Sequence, residues 1–420
     1  MKYRSSEKPD NPWLDFCGKA FAVTFGIFIF AMFSCLFPTG VASTFSTLAF
    51  LFALIIFIQR IWYFRPLFFE VVGLSLFFWL ALSIIWTDAG FLSGLKALAE
   101  YRIYVMVPVF AYAISASPSA IKYFAGLMLL GCLISLVASY LLFFDAVYVD
   151  DLLSLGNSIF HGFIMSLLYF AALLIFRHSE GKIRILFLFI ALVTAFNVLF
   201  VEVGRTGYLQ ITVATIAFMH LYLASFRKQI IVFTVFLFLA LLFGSLFVFH
   251  EIEALFIAMV EQLRMGQHGY SNMLRLDYYS GGLMIGADAF PWGVGVGDAE
   301  ESLRNAFFDG RMAHLTDNVH SEFLNMWLVG GLPGLVMFLL FIFSIIRIGT
   351  MVRIEQKGLG ELMFGFGCII LTGALFNSVI KDFGEKHVIL IVLAMFSASL
   401  MTSVGRGWGN AFRKNISYRH

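Results

Sequence analysis

The stretch MLRLDYY (residues 273–279) opens a series of four motifs, which continues with FPWGVGVG (290–297), DNVHSEFL (317–324) and GGLPG (330–334). All four lie between about 249 and 335, a long interval that is too polar to sit in lipid, whereas the sequence on both sides is a succession of apolar runs. This contrast predicts a bundle of membrane helices with one substantial extramembrane loop.

Composition supports a membrane protein. The chain has 420 residues, of which 60% are hydrophobic and 13% are charged, and its mean hydropathy is +0.90. The charged fraction of soluble domains is nearer a quarter, so a soluble globule is excluded. The formal net charge of +2 comes with no basic stripe, and we therefore expect no nucleic-acid partner.

Apolar runs near the roughly 20 residues that cross a bilayer predict an all-α polytopic protein with about 12 transmembrane helices. Helices are expected because the runs are continuous rather than alternating, and a spanning segment must satisfy its own backbone hydrogen bonds. The predicted spans are 18–37, 40–58, 67–86, 103–117, 122–144, 158–176, 184–203, 207–225, 230–249, 326–347, 360–380 and 388–404.

Charge predicts the orientation of these helices. Most of the 28 Lys and Arg fall in the segments that are cytoplasmic if the N-terminus is cytoplasmic, and an even number of spans returns the basic C-terminal tail to the same side. The whole chain, 1–420, is then a single membrane domain. Its long loop between helices 9 and 10, residues 250–325, lies outside, contains short helices and carries part of the active site.

Two arginines on the outer side are candidate phosphate ligands, because a guanidinium is a permanently charged, planar fork that matches phosphate oxygens. Arg205 lies between two glycines in a tight turn; alternatively it extends to lipid headgroups or pairs with Glu202. Arg275 lies in a partly amphipathic segment and could simply be a solvated charge. Arg264, eleven residues before Arg275, is the rival position.

His320 is the candidate catalytic residue, since it precedes the tenth span and a neutral imidazole at the membrane surface can accept a proton. A lone His is more often structural. The glycines at 293, 295 and 297 suit a turn packed closely against the helices better than a direct phosphate contact. We expect no cofactor and no metal, because the acidic pair Asp150 and Asp151 lacks a third ligand.

The order Arg-Leu, Pro and Gly-rich turn, then His before Gly-x-x-Gly resembles the core of the O-antigen ligase and polymerase superfamily of bacterial inner-membrane glycosyltransferases. The resemblance covers roughly residues 185–340. It implies a GT-C-like fold, His320 as general base, and Arg205 and Arg275 holding a diphosphate. Ser321 departs from the Asn that usually follows this His in the family. Three residues of the last outer loop are possible accessory groups, namely Lys381, Lys386 and His387.

The resemblance also implies the partners. The donor would be an undecaprenyl-diphosphate-linked glycan, the active site would face the periplasm, and the protein would contact membrane lipids. For a ligase the acceptor is lipid A-core oligosaccharide, and this reading comes first because the chain has no soluble C-terminal extension. An O-antigen polymerase is a close second. A protein O-oligosaccharyltransferase or a transporter of lipid-linked sugars is a weaker alternative.

Overall fold

The computed structural model describes residues 12–63, 65–144, 157–201, 205–222 and 271–403. These residues form helices and no strands. The α-helices, in chain order, are α1 (Pro12–Ser34), α2 (Thr39–Arg60), α3 (Phe68–Leu82), α4 (Phe91–Leu98), α5 (Ile103–Ser115), α6 (Pro118–Phe143), α7 (Ser158–His178), α8 (Gly181–Phe196), α9 (Arg205–Tyr222), α10 (Ser271–Asp288), α11 (Ala299–Phe308), α12 (Glu322–Val352), α13 (Lys357–Phe376) and α14 (Phe383–Ser403).

The predicted all-α membrane fold is confirmed. Within the described ranges, nine helices are long and apolar enough to cross a membrane, or ten if the pair Phe91–Tyr101 and Ile103–Ser115, bent by 45°, forms one broken span. Each predicted run coincides with a helix except 230–249, which lies outside the described residues, as do both chain termini. The count of twelve therefore stays a prediction.

Local sequence explains several helix ends. Pro118 occupies the first turn of α6, where its missing N–H is not needed. Asn157 caps α7, and its side-chain oxygen accepts hydrogen bonds from the N–H groups of Ile159 at 3.1 Å and Phe160 at 3.2 Å. A π-helical turn, Asn197–Val201, follows α8 and leads toward α9. These features place the helix boundaries close to the ends of the apolar runs.

The helices divide into a buried centre and a lipid-facing periphery. Within the most apolar window of α14, 83% of the residues are buried, whereas the corresponding value for α8 is 28%. α14 packs on α5, and α12 packs on both α13 and α3. The outer face of α8 consists of large apolar side chains such as Phe189 and Leu192, as expected for a surface in contact with lipid.

α12 is broken at Gly331, where φ is 62° and ψ is −157°. Pro333 has no N–H, so the carbonyl of Val329 loses its usual helical donor. The segment 291–295 supplies the missing groups: Val294 N–H donates to Leu328 O at 2.9 Å, and Gly295 N–H donates to Val329 O at 3.1 Å. The segment between α10 and α11 is thus joined to the first part of α12.

Candidate active site at the His320 end of the bundle

The ends of α3 and α13 and the starts of α5, α12 and α14 meet at one end of the bundle, which we call the His320 end. Loops from different parts of the chain are tied together there. The Asp298 carboxylate accepts hydrogen bonds from the N–H groups of Asp88 and Ala89, both at 2.5 Å. Val296 N–H donates to the hydroxyl of Ser83 at 3.0 Å. These bonds fix the segment before α11 against the end of α3.

α10 holds the segment that leads to His320. The Asp277 carboxylate accepts the N–H of Ala313 at 3.0 Å and the N–H of His314 at 2.8 Å, and it lies 3.2 Å from His314 Nδ1. Two glycines of α10 allow close packing, since a Cβ at Gly282 would lie 2.8 Å from Val319. The segment is therefore positioned by contacts with α10 over most of its length.

The main chain of His320 adopts a defined, unusual conformation. Its φ is 51°, in the left-handed region that few non-glycine residues occupy. His320 N–H donates to Asn318 Oδ1 at 3.0 Å, and the same oxygen accepts the Ser378 hydroxyl at 2.6 Å. Tyr279 donates its hydroxyl to His320 O at 3.3 Å. Contacts from α10 and from the loop after α13 thus hold the main chain at this position.

The imidazole of His320 is suited to act as a base. Its ring lies 5.7 Å from the ring of Tyr278, and the residue is partly buried. Burial lowers the pKa of His320 below its ordinary value; Arg275 and Lys381 lower it further, and Asp317 opposes them. The ring is therefore neutral at pH 7. Within the described chain neither ring nitrogen is hydrogen-bonded.

The structure brings Arg275 close enough to His320 to influence its pKa. Tyr278 and Tyr279, three and four residues after Arg275, share its face of α10 and contact His320. Arg275 is partly buried and forms no ion pair with any residue that the structure describes.

Arg205 begins α9, and its side chain lies outside the described residues, as does all of Arg264. The start of α9 packs tightly on α7, because Gly207 and Gly162 approach each other; a Cβ at Gly162 would lie 3.2 Å from Gly207 Cα. The position of the Arg205 guanidinium relative to His320 stays a prediction.

The three accessory candidates occupy different surroundings. Lys381 Nζ lies 3.2 Å from both Glu300 Oε1 and Asp317 O, beside His320. Lys386 is buried, and its Nζ donates to Lys381 O at 3.0 Å. His387 is inside α14: its Nδ1 lies 2.6 Å from Phe383 O. Lys381 thus joins Arg275 at the site, whereas His387 packs within its own helix.

Residues 190–339 match the family model described as O-antigen ligase. This match supports membership of the O-antigen ligase and polymerase superfamily. This membership supports an enzyme of glycosyltransferase type with O-antigen ligase or polymerase activity, acting with lipid-linked glycans. Comparison with curated proteins finds none that matches the chain.

The O-antigen ligase match contains the three arginine candidates and His320, and it ends before Lys381, Lys386 and His387. It also contains the Pro and Gly-rich turn. A Cβ at Gly293 would lie 2.5 Å from Gly331 N, so the expected close packing of this turn against the membrane helices is confirmed. A packed turn of this kind brings the segment after α10 against the helix that follows His320.

Sequence reasoning missed a buried polar cluster at the His320 end. Glu322 is fully buried; its Oε2 accepts Ile380 N–H at 2.9 Å, and Asn325 Nδ2 donates to Oε1 at 3.3 Å. Asn325 Nδ2 also donates to Tyr101 OH at 2.9 Å. The cluster joins the starts of α12 and α5 to the loop before α14. The signal available in the sequence was an acidic residue and an amide, Glu322 and Asn325, directly before the apolar run 326–347.

Proposed function

We propose that the chain is an O-antigen ligase of the bacterial inner membrane. It transfers a glycan from undecaprenyl diphosphate to lipid A-core oligosaccharide at the periplasmic face, in lipopolysaccharide biosynthesis. The observation that carries this proposal is a neutral His320 close to Arg275, neither of which has a hydrogen-bonded or ion-paired side chain among the described residues, in a chain whose residues 190–339 match the O-antigen ligase family.

The reaction is a single displacement. His320 takes the proton of an acceptor sugar hydroxyl while that oxygen attacks the anomeric carbon of the donor. The bond from this carbon to the diphosphate oxygen breaks, and the diphosphate leaves with the bonding electrons. Arg275 and Arg205 stabilise the negative charge that develops on it. Attack opposite the leaving group inverts the anomeric configuration, and no metal ion is needed.

The charges around His320 favour return of the base to its neutral form. Arg275 and Lys381 disfavour the imidazolium that proton transfer creates, whereas Asp317 stabilises it in part. The proton is therefore passed on readily to solvent or to the departing diphosphate. This recovery prepares the enzyme for the next acceptor.

The test is a transfer assay with purified full-length protein, polyprenyl-diphosphate-linked glycan and lipid A-core, in the presence of EDTA. We expect wild type to join the glycan to lipid A-core and His320→Ala, Arg275→Ala and Arg205→Ala each to lower the rate by about 10²-fold or more. Arg304→Ala is the matched control, because Arg304 is an exposed cation of α11 at the same end of the bundle.

Each other outcome overturns the ligase proposal in a different direction. Longer lipid-linked glycans without lipid A-core product indicate a polymerase that uses the same chemistry. Glycan joined to a protein acceptor indicates an oligosaccharyltransferase. If no bond forms with any acceptor while lipid-linked glycan crosses the bilayer, the protein is a transporter. Full loss of wild-type activity in EDTA overturns the metal-independent mechanism.

A further inference from the structure

A second cluster of charged residues lies at the opposite end of the bundle from His320, where α7, α9 and α12 end and α13 begins. α12 separates the two ends, because it starts beside His320 and continues to Val352. α12 has 31 residues, and a helix advances about 1.5 Å per residue. The cluster is therefore too far from His320 to take part in glycan transfer. It requires a separate explanation.

At the centre of the cluster is the carboxylate of Glu361, which is fully buried. Arg353 Nε donates to Glu361 Oε1 at 3.1 Å, and His178 Nε2 lies 2.7 Å from Oε2. Tyr222 donates its hydroxyl to the same Oε2. The single carboxylate is thus engaged by three donors from three helix ends, and it balances the charge of Arg353.

Three cations surround the ring of Tyr222. Arg177 Cζ lies 5.2 Å from the ring centroid, Lys357 Nζ lies 5.6 Å from it, and Arg353 Cζ lies 5.9 Å from it. Each distance is within the range of a cation–π contact. One aromatic ring therefore gathers three positive charges, of which Glu361 balances one.

Arg177 and Lys357 have no carboxylate partner among the described residues. The acidic residues nearest to them in sequence, Glu180 and Glu355, are exposed and form no ion pair with them. Two like charges held on one ring repel each other unless an anion joins them.

We propose that Arg177, Lys357 and Tyr222 form a binding site for the phosphate group of an anionic phospholipid in the leaflet at this end of the bundle. A guanidinium fork and an ammonium group both donate hydrogen bonds to phosphate oxygens. The cluster is at the ends of spanning helices, where headgroups lie, and basic pockets between such helices bind anionic lipid headgroups. A free phosphate ion offers the same chemistry, and the test separates the two sources.

A bound phospholipid would also join helices. Arg177 lies in the last turn of α7 and Lys357 begins α13, and both contact the ring of Tyr222 at the end of α9, so a phosphate group held by the two cations connects three helix ends. It would relieve the repulsion between the two cations and stabilise this end of the bundle. The site is independent of glycan transfer, so its test does not depend on the ligase proposal.

The test uses full-length protein in bilayer nanodiscs and measures phosphatidylglycerol binding by native mass spectrometry and by thermal unfolding. We expect phosphatidylglycerol to bind wild type and to raise its unfolding temperature relative to phosphatidylcholine alone. The double substitution Arg177→Gln with Lys357→Gln should weaken binding by about tenfold for each cation, as for loss of a charge-assisted hydrogen bond.

The matched control is Lys182→Gln with Arg347→Gln, which removes two exposed cations at the same end of the bundle. These residues do not contact Tyr222, so phosphatidylglycerol binding should fall by no more than a few-fold. If the double variant fails to fold, Lys357→Gln alone, at an exposed position, provides the comparison.

Three results would overturn the proposal. Equal losses in the two pairs would show diffuse attraction of anionic lipid rather than a site. Undiminished binding in the Arg177 and Lys357 pair would remove these residues from it. Finally, if inorganic phosphate added to the protein in phosphatidylcholine raises the unfolding temperature as far as phosphatidylglycerol does, the ligand is a free anion and not a lipid.

Discussion

Replacing Gly331 by Ala should detach the 291–295 segment from α12. A Cβ at Gly331 would lie 2.1 Å from Pro291 O and 2.4 Å from the carbonyl carbon of Trp292, well inside van der Waals contact. The φ and ψ values of 62° and −157° belong to a region that is nearly restricted to glycine. The backbone strain costs about 1–3 kcal/mol, and forcing a methyl group into packed backbone costs about 1–3 kcal/mol more.

The two costs together are about 2–6 kcal/mol, so even the lower end shifts the equilibrium between docked and undocked loop by roughly 30-fold. The assays are kcat/KM for glycan transfer and hydrogen exchange of the Val294 and Gly295 amides, which donate to α12. We expect a large loss of kcat/KM and faster exchange at both amides. Gly330→Ala is the control, since its Cβ would meet the flexible Leu80 side chain at 3.3 Å. Wild-type exchange and kcat/KM in Gly331→Ala would refute the reasoning.

Two further predictions concern how His320 is tuned and held. Lys381→Gln removes a cation that lowers the pKa of His320, so the acid limb of the kcat/KM profile should move to higher pH; Asp317→Asn removes a carboxylate that raises this pKa, so the limb should move to lower pH. Shifts of both variants in one direction would contradict this assignment. Asp277→Ala removes the acceptor of two backbone N–H groups before His320, and kcat/KM should fall about tenfold. Ser280→Ala loses a hydrogen bond only within α10 and should retain wild-type kcat/KM. Equal losses of kcat/KM in the two variants would show that any substitution that weakens α10 lowers activity.

The sequence predicts the membrane helices well because lipid restricts a spanning segment to few backbone structures. A continuous apolar run must form a helix to satisfy its backbone, and the run 184–203 ends where α8 and its π-turn end. Apolarity does not predict where a helix breaks. The run 326–347 is mostly apolar, yet α12 is broken at Gly331. Pro333 has no N–H to donate, and the N–H groups of Val294 and Gly295, from a distant segment, donate to the carbonyls of α12 instead.

The candidate site is predictable in part. The motif pattern identified His320 and Arg275, and the structure places them within electrostatic reach of each other. The polar residues at the head of an apolar run hinted at the Glu322 cluster but not at its contacts, because the partner Ile380 N–H comes from a loop that joins two later helices. Contacts of this kind depend on how helix ends meet in three dimensions, which periodicity and spacing do not encode.

The contacts around His320 separate the fixing of its main chain from the use of its ring. Asn318 and Tyr279 bind the main-chain N–H and carbonyl, and no described residue occupies the ring nitrogens. His320→Asn is therefore a sharper test than His320→Ala, because Asn tolerates the left-handed φ of 51° better and yet cannot act as a base. We expect His320→Asn to unfold at or above the temperature of His320→Ala, and both to lose transfer by about 10²-fold or more. If His320→Asn kept wild-type transfer, the requirement at this position would be for its backbone conformation and not for a base.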